Sequence, residues 1–288
     1  MKNFGATFRY LREARGINLS SLADDVVSKG MISKFENGTS DLSTTRFFHL
    51  LDAIYVTPYE FMIVMNHFEP LHTNRFLKKV TEYALAQNVP GLKRLTNEQY
   101  ERWQQSQSLF DQLNWIMAAC ILAETAKQPL SAKVDLHVLT DYLFKCENWG
   151  NFELILYGNT MTQLPIDAIV IFSQTLLEKC SLYTGLITVY ETCINVLLNT
   201  IAVLIRHNRI QTALKTVALL EQKDLPESFL LERILLKYYK GILLEKTGES
   251  KKGHALIHAA LSALDAGDCD AFISSLRVEL ADLGVYHI

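Results

Sequence analysis

The sequence is poor in the residues that interrupt helices and in the patterns that build sheets. Its 288 residues include only 13 glycines and 6 prolines, and alternating runs of β-branched residues are nearly absent. Apolar residues instead recur at spacings of three and four, which is typical of amphipathic helices. We therefore predict an all-α protein, and the length allows two domains.

Neither a charge excess nor a cysteine framework is present. The net charge of −3 argues against a chain that coats nucleic acid along its whole length, although it permits one local DNA-binding face. The cysteines are scattered singly, without a CxxC pair, at Cys120, Cys146, Cys180, Cys193 and Cys269. We predict that they are reduced and mostly buried.

No stretch has the features of a signal peptide or of a membrane span. The N-terminus lacks the basic start, apolar middle and small-residue cleavage site of a secretory signal. The most apolar stretch, Cys193 to Ile205, is shorter than the ~20 residues that cross a bilayer and contains two asparagines. We expect a cytoplasmic protein without a membrane partner.

Motifs for catalysis and metal binding are also missing. There is no HExxH, no glycine loop that would cradle a phosphate and no G-x-S-x-G. His254 and His258 have the i, i+4 spacing that can bind a metal, but the motif offers no third ligand. We therefore expect no enzyme activity, no cofactor and no metal site.

Five short helices are predicted in the first 66 residues, each from apolar residues at helical spacing with a start or stop signal. Their approximate spans are 4–16, 19–26, 28–38, 47–54 and 58–65. Ser28 is a favourable N-cap for the third helix, and Asn37-Gly38 is a favourable end. Pro58 suits the first turn of the fifth. Two short helices, a tight turn and a third helix make a helix-turn-helix.

The third helix, Ser28 to Asn37, is the predicted DNA-reading element, because such a helix enters the major groove with its N-terminal residues at the base edges. Ile32 and Phe35 should face the core. The residues that cap the helix or face outward are the predicted DNA contacts: Ser28, Lys29, Gly30, Met31, Ser33 and Lys34. Gly30 costs the helix about 1 kcal/mol relative to alanine, but it permits close approach to DNA.

Arg9, Arg12 and Arg15 lie nearly on one stripe of the first helix and are predicted to form, with Lys29 and Lys34, a local positive face. We include the three arginines among the predicted DNA contacts. The N-terminal domain as a whole is not basic, since residues 1–66 contain seven Lys or Arg and seven Asp or Glu. The arginines are therefore either phosphate contacts or an ordinary solvated helix face.

Beyond residue 66 the helices become longer and arrive in pairs. The pairs that begin near Pro165, Arg209 and Lys251 recur at about 42–44 residues, which is the signature of stacked helix-hairpin repeats. Such repeats bury their apolar faces by stacking and leave a concave surface. We predict a helix-turn-helix domain at 1–66, a linker at 67–72 and a right-handed superhelix of tetratricopeptide-like repeats at 73–288.

Two parts of the sequence resemble known families. FRYLREARGINLSSLADDV, SKGMISKFENGTSDLS and RFFHLLDAI are similar to the helix-turn-helix domain of the phage-repressor and Cro-like superfamily, with ISKFENG as the most specific part. In such domains Glu36 usually supports the scaffold. DYLFKCENWGNFELILYGNTMTQLPIDAI, at 141–169, resembles the C-terminal domain of the Rgg/GadR/MutR regulators. Together the two resemblances cover nearly the whole chain.

The second resemblance implies a dimeric transcription regulator of the peptide-sensing kind found in Gram-positive bacteria. In this family, tetratricopeptide-like repeats bind a short, usually hydrophobic peptide in their concave surface. Some members carry a cysteine before helix 4 that crosslinks the dimer. Here that stretch is DLSTTRF, with Thr44 and Thr45, so a disulfide through this position is excluded.

Asparagines inside apolar helices are the first candidates for peptide contact. One asparagine side chain can pair with both the N–H and the C=O of an extended peptide, and asparagine is a poor helix former. Asn159, Asn195 and Asn199 fit this description, and the last two share a helix face. The alternative is that they bond neighbouring helices.

Four other residues complete the predicted peptide site. Arg206 either binds a carboxylate, such as a peptide C-terminus, or stabilises the end of its own helix. Tyr183, Tyr190 and Tyr239 either line a hydrophobic groove or are packed in the interior. Trp149 is predicted to be core.

Three functions follow from this reading. The leading one is a regulator that binds a double-stranded DNA operator as a homodimer and is switched by a short signalling peptide. The second is a stand-alone or small-molecule-responsive regulator of the same architecture. The third is a helical-repeat interaction scaffold.

Overall fold

The computed structural model describes residues 4–68, 72–223 and 225–285, without the side chains of 72–74. Within these residues the regular structure is entirely helical, as predicted. The α-helices are α1 Phe4–Ala14, α2 Lys29–Glu36, α3 Thr44–Ala53, α4 Pro58–Met65, α5 His72–Leu85, α6 Val89–Ser106, α7 Leu109–Thr125, α8 Leu136–Lys145, α9 Asn151–Thr160, α10 Ile166–Lys179, α11 Ile187–Arg206, α12 Ile210–Glu221, α13 Leu230–Lys246, α14 Ser250–Asp265 and α15 Asp270–Asp282. Short 3₁₀ helices cover Leu19–Ser21, Met161–Gln163 and Cys180–Tyr183.

The chain forms two compact units, Met1–Glu82 and Tyr83–Ile288. The division falls inside α5, whereas the predicted linker lies at 67–72, of which residues 69–71 are outside the described residues. The domain boundaries at 66 and 73 therefore stay a prediction, and the two units are described separately.

Local signals position the helices of the first unit. The Ser28 side chain accepts a hydrogen bond from the Met31 N–H and caps α2, and Gly38 follows its end with a φ of +70°. Pro58 occupies the first turn of α4. These starts and ends are confirmed where the sequence predicted them. Phe8, Ile32 and Leu50 are fully buried and tie the helices into one core.

The predicted second helix, at 19–26, is wrong. Only a single 3₁₀ turn at Leu19–Ser21 forms there. The Asp24 carboxylate then accepts hydrogen bonds from the N–H groups of Val26 and Val27, both at 2.8 Å. An aspartate that bonds the backbone just after it competes with helical hydrogen bonding, so the chain turns directly into the cap of α2.

The second unit is built from paired helices whose spacing agrees with the predicted repeat. The helices α10, α12 and α14 begin within one residue of the predicted starts near Pro165, Arg209 and Lys251. Between α13 and α14, a Cβ added to Gly253 would lie only 2.7 Å from the carbonyl oxygen of Gly241. The two glycines therefore permit a helix approach that larger residues would block.

The WG-x-x-E motif starts α9. Trp149 is 3% exposed, and its indole N–H donates to the carbonyl oxygen of Leu143 at 3.2 Å, which confirms the prediction that it is core. The Glu153 carboxylate accepts a hydrogen bond from the Gly150 N–H at 2.7 Å. This bond satisfies a backbone donor at the start of the helix, so Gly150 and Glu153 of the motif serve to begin α9.

Helix α11 is long and apolar enough to meet the composition test for a membrane span, but 61% of its most apolar window is buried inside the protein. Fully buried residues on it include Ile194, Leu197 and Ile201. This is the pattern of a central helix in a packed domain. Polar residues in the same helix therefore stand out as candidates for function.

Candidate functional sites

The described part of the first unit presents the N-terminal half of α2 to its surroundings. Ser28, Lys29, Gly30 and Lys34 are exposed, and Met31 and Ser33 are half-buried. Ile32 and Phe35 are buried, so their predicted inward orientation is confirmed. The polar side chains at the helix start and the two lysines are thus accessible together. This is the arrangement that a helix needs to reach base edges and phosphates.

Gly30 faces open space. A Cβ built on it would have no heavy atom within 4 Å, apart from its chain neighbours and its own helix backbone. The fold therefore does not require glycine at this exposed position. The absence of a side chain at Gly30 is instead consistent with close approach by another molecule.

Arg12 is not on the surface with the other two arginines. It is 6% exposed and forms two hydrogen bonds with Glu36, Nε to Oε1 at 2.6 Å and Nη2 to Oε2 at 2.9 Å. Its Nη1 donates to the carbonyl oxygen of Ile17 at 2.6 Å. These contacts occupy the guanidinium inside the domain, so the structure gives Arg12 and Glu36 a scaffold role.

Arg9 and Arg15 remain accessible, but each has an acidic partner. Arg9 pairs with Glu13 at 2.8 Å, and Arg15 pairs with Glu60 at 2.9 Å. Lys29 and Lys34 form no ion pair with any residue that the structure describes. The free positive charge of this face is therefore on α2 rather than on α1.

A polar concavity of about 540 Å³ lies where α1, the 3₁₀ turn and α2 meet. Arg9, Lys29 and Ser33 line it together with Asn18, Ser20 and Asn37, among others. Asn18, Ser20 and Asn37 were not among the predicted DNA contacts. Short polar side chains between a cap and a basic face are a recognisable signal for hydrogen bonds to phosphate.

In the second unit, α11 carries a polar stripe in an otherwise buried helix. Asn195, Asn199 and Arg206 are separated by four and seven residues, which places them on one helical face. Asn199 and Arg206 are exposed, and Asn195 is half-buried. The structure thus brings three of the predicted peptide contacts onto one face, which we call the α11 polar face.

Asn195 reaches across to α13. Its side-chain Nδ2 donates a hydrogen bond to Oε1 of Glu232 at 2.9 Å. Glu232 is 4% exposed and was not selected from the sequence. Its spacing to Leu235, Leu236 and Tyr239 places it on the buried side of α13. A glutamate on the apolar face of a helix is the pattern by which the sequence could have indicated this residue.

Arg206 and Tyr239 meet at Glu279 of α15. The Arg206 guanidinium lies 2.9 Å from Oε1 of Glu279, and the Tyr239 hydroxyl lies 3.3 Å from Oε2. Burial raises the pKa of Glu279, against the opposing effect of Arg206. Burial, helped by the Glu279 charge, also raises the pKa of Tyr239 well above its ordinary value. Arg206 is therefore tied to another helix and has an acidic partner.

Asn159 is exposed on α9, and its Nδ2 donates to the carbonyl oxygen of Ile155 in its own helix at 2.8 Å. The preceding residue, Gly158, packs against Val196 of α11, where an added Cβ would lie 3.0 Å from the valine side chain. The end of α9 that carries Asn159 therefore packs against α11 through Gly158, whereas the hydrogen bond of the Asn159 side chain is within α9.

Tyr183 and Tyr190 are part of the packing. The Tyr183 hydroxyl donates to the carbonyl oxygen of Trp149 at 2.6 Å in a buried setting. Tyr190 is 4% exposed and its ring lies 5.5 Å from that of Phe229. Of the alternatives that the sequence left open, the structure places both rings in the interior.

The two histidines at i, i+4 have separate partners. His254 lies 3.2 Å from Glu245, and His258 lies 3.3 Å from Ser262. Among the described residues, no group of three or more metal-binding side chains comes together. The cysteines are free, and Cys120, Cys180 and Cys193 are buried.

Comparison with known proteins agrees with both units. The family model described as HTH-type transcriptional regulator Rgg, C-terminal domain, matches residues 93–277, and a helix-turn-helix model matches residues 8–61. The family matches therefore cover both the DNA-binding fold and most of the repeats.

Solved structures of similar fold match nearly the full length of the chain. The SHP pheromone receptor Rgg2 from Streptococcus dysgalactiae has 23% identity and a TM-score of 0.80, over 97% of this chain and 99% of that chain. A Listeria monocytogenes protein assigned as a transcriptional regulator has 20% identity and a TM-score of 0.83, over 98% and 97%. The PrgX/cCF10 complex has 14% identity and a TM-score of 0.72, over 99% and 93%. The predicted combination of a helix-turn-helix with tetratricopeptide-like repeats is confirmed.

Proposed function

The chain belongs to the Rgg family of helix-turn-helix transcriptional regulators, and from this premise we propose that a short peptide switches it by binding along the α11 polar face. The observation that carries the proposal is that face itself. Asn195, Asn199 and Arg206 form an accessible polar stripe on a helix whose other sides are largely buried. Several relatives of the same fold are described as pheromone receptors, which supports a peptide as the ligand.

The chemistry of the face suits an extended peptide. Each asparagine offers a donor and an acceptor from one side chain, which matches the alternating N–H and C=O groups of a peptide backbone. Asn159 on α9 extends the same kind of contact toward the neighbouring helix. Tyr239 does not line a groove but contributes through its hydrogen bond to Glu279. Tyr183 and Tyr190 stabilise the packing of the helices.

We propose that α2 reads a double-stranded operator in the major groove. Lys29 and Lys34 supply phosphate contacts, and Ser28, Gly30, Met31 and Ser33 form the part of the helix closest to the bases. Arg9 and Arg15 are accessory contacts whose charge is shared with Glu13 and Glu60. Arg12 leaves the DNA-contacting set because Glu36 occupies its guanidinium.

The regulator acts in the cytoplasm. It binds as a homodimer, because a helix-turn-helix protein of this kind binds two half-sites about one helical turn apart. Peptide binding changes the relative stability of two arrangements of the dimer, and only one of them spaces the two recognition helices correctly. This is allosteric provided that the peptide has different affinities for the two arrangements. No catalytic step, cofactor or metal enters the proposal.

The first test is fluorescence anisotropy of the full-length protein on the duplex from upstream of its own gene, against a scrambled duplex, across a salt series. We expect a preference for the native duplex and a steep loss of affinity with salt, because phosphate contacts release counterions. Short hydrophobic peptides encoded near the gene should change that affinity. If no peptide changes it and DNA binding is retained, the protein is a regulator that acts without a peptide. Absence of any salt-dependent DNA binding would favour an interaction scaffold.

A further inference from the structure

Glu232 is a buried carboxylate without a cation. It is 4% exposed, and its hydrogen-bond partner is the neutral side chain of Asn195. No Lys, Arg or His of the described chain forms an ion pair with it. A buried charge is costly unless another charge and further hydrogen bonds compensate it. Glu232 lies in the first turn of α13, and the Asn195 amide and the partial positive charge of that helix end supply only part of that compensation.

The position of this carboxylate connects it to the proposed ligand. Glu232 lies between α11 and α13, where it reaches the half-buried Asn195 of the α11 polar face. Glu191, one turn before Asn195 on the same face of α11, is exposed. Glu191 and Arg206 are the only acidic and basic residues of α11, so the stretch around Asn195 carries negative charge and no positive charge of its own helix.

We infer that Glu232 and Asn195 form the receptor for a cationic group of the peptide, in the first instance its free N-terminal ammonium. This inference rests on the proposed peptide-binding function and adds the ligand's charge and its position. An ammonium group brings donors and a positive charge, which Glu232 lacks in the free protein. The adjacent Asn195 carbonyl oxygen accepts a second hydrogen bond from the same ammonium. A lysine or arginine side chain has the same chemistry, and the experiment separates the two sources.

The missing counter-charge couples peptide binding to the packing of the helices. A carboxylate that lacks its counter-charge destabilises the free protein, and the arriving cation relieves that cost. Peptide binding is then coupled to the packing of α11 against α13 through one group. A ligand without a cation would bury the Glu232 carboxylate further without compensating its charge. The carboxylate therefore also discriminates against peptides whose N-terminus is acetylated.

The test uses the full-length protein and three matched pools of octapeptides composed of Leu, Ile, Val and Phe, analysed by native mass spectrometry. The first pool has free N-termini, the second is N-acetylated, and the third is N-acetylated with one lysine at varied positions. Glu232→Gln keeps the size of the side chain and its bond to Asn195 while removing the charge. Glu227→Gln removes the same charge from an exposed position just before α13 and is the matched control.

We expect the wild type and Glu227→Gln to bind the free-amine pool at least about tenfold better than the acetylated pool. In Glu232→Gln the difference should disappear. If the wild type prefers only the lysine-containing pool over the acetylated pool, the cation is a side chain of the peptide. Glu232 and Asn195 would still be its receptor. Equal binding of all three pools by the wild type would overturn the inference while leaving peptide binding intact. Absence of binding from every pool would contradict the proposed function and the inference with it.

A second measurement needs no peptide. Because Glu232→Gln removes a buried charge that the chain does not balance, the melting temperature of the ligand-free protein should rise, whereas Glu227→Gln should leave it unchanged. A lower melting temperature for Glu232→Gln would mean that the carboxylate is already balanced within the protein, and the inference would fail.

Discussion

The guanidinium of Arg12 and the carboxylate of Glu36 are joined by two hydrogen bonds, at 2.6 and 2.9 Å, across 24 positions of sequence. Both side chains are almost fully buried. The pair ties the end of α1 to the end of α2, directly behind the helix that is proposed to read DNA. Its geometry therefore sets the angle at which that helix is presented.

Replacing Arg12 should destabilise the DNA-binding unit rather than remove a DNA contact. Arg12→Met leaves the Glu36 carboxylate buried and unpaired, a change that costs about 3–5 kcal/mol. Urea unfolding followed by circular dichroism should show an earlier transition for this unit. The double variant Arg12→Met with Glu36→Leu should recover part of the loss, since no isolated charge remains. A variant that loses DNA affinity at unchanged stability would instead place Arg12 in contact with DNA.

The two unpaired lysines of α2 should behave differently. Lys29→Ala and Lys34→Ala each remove one exposed charge, so stability should change by less than about 0.5 kcal/mol. Each should lower the slope of log affinity against log salt by about 1 if it contacts one phosphate. Anisotropy across a salt series measures both quantities. Lys251→Ala, an exposed lysine in the second unit, is the control, and an unchanged slope in the α2 variants would contradict the proposed contacts.

Gly30→Ala separates folding from binding. The space around Gly30 is open, so alanine should stabilise α2 by up to about 1 kcal/mol. If α2 approaches DNA as closely as proposed, the added methyl group should lower operator affinity although the protein is more stable. Thermal unfolding and anisotropy on the same preparation give the two values. Equal operator affinity in both proteins would show that nothing approaches this position.

Features with local causes were predictable from the sequence, and features made by distant residues were not. Ser28, Gly38 and Pro58 act within one turn of themselves, so the helix limits they set could be predicted. The repeat spacing likewise follows from a periodic pattern. Arg12 looks like a member of a surface stripe until a carboxylate 24 residues away is brought to it. The role of Glu232 depends on which helix packs beside it, which no local pattern encodes.

Tyrosines and asparagines of the second unit illustrate the same limit. Both residue types suit a peptide groove by their chemistry, and only packing distinguishes a lining residue from a supporting one. The structure turns Tyr183 and Tyr190 inward and leaves Asn159 and Asn199 outside. Residue type indicated the candidates, but the fold selected among them.

Asn195→Ala should weaken the peptide response and leave DNA binding in place. The substitution removes a predicted peptide contact and also the hydrogen bond to Glu232, so a stability loss of about 1–3 kcal/mol accompanies it. Asn199→Ala is the matched control for stability, because Asn199 is exposed on the same face. Operator anisotropy with and without peptide separates the effects. The measurement is made at a temperature where the variant is folded. Equal loss of peptide response and of DNA binding would then count against the proposed site.

The Asp24 turn should give the DNA-binding unit a measurable dependence on acid. The backbone N–H of Val27, the ring of His49 at 2.5 Å and the N–H of Val26 hold the pKa of Asp24 below its ordinary value of 3.8. A carboxylate with a lowered pKa in the folded state adds stability above its ordinary pKa. This contribution is lost as the pH falls through the lower, folded-state pKa. Asp24→Ala should therefore destabilise the unit at neutral pH and have little effect near about pH 2.

The titration of Asp24 followed by NMR tests the cause of this dependence. In the wild type, the carboxylate should titrate below 3.8. Because the Val27 N–H makes the largest contribution and is independent of His49, His49→Gln should raise the Asp24 pKa only part of the way toward that value. A full return in His49→Gln would mean that the hydrogen bond to His49 alone orders the turn before α2. The backbone bonds would then be its consequence, and the explanation given above for the absent second helix would be wrong.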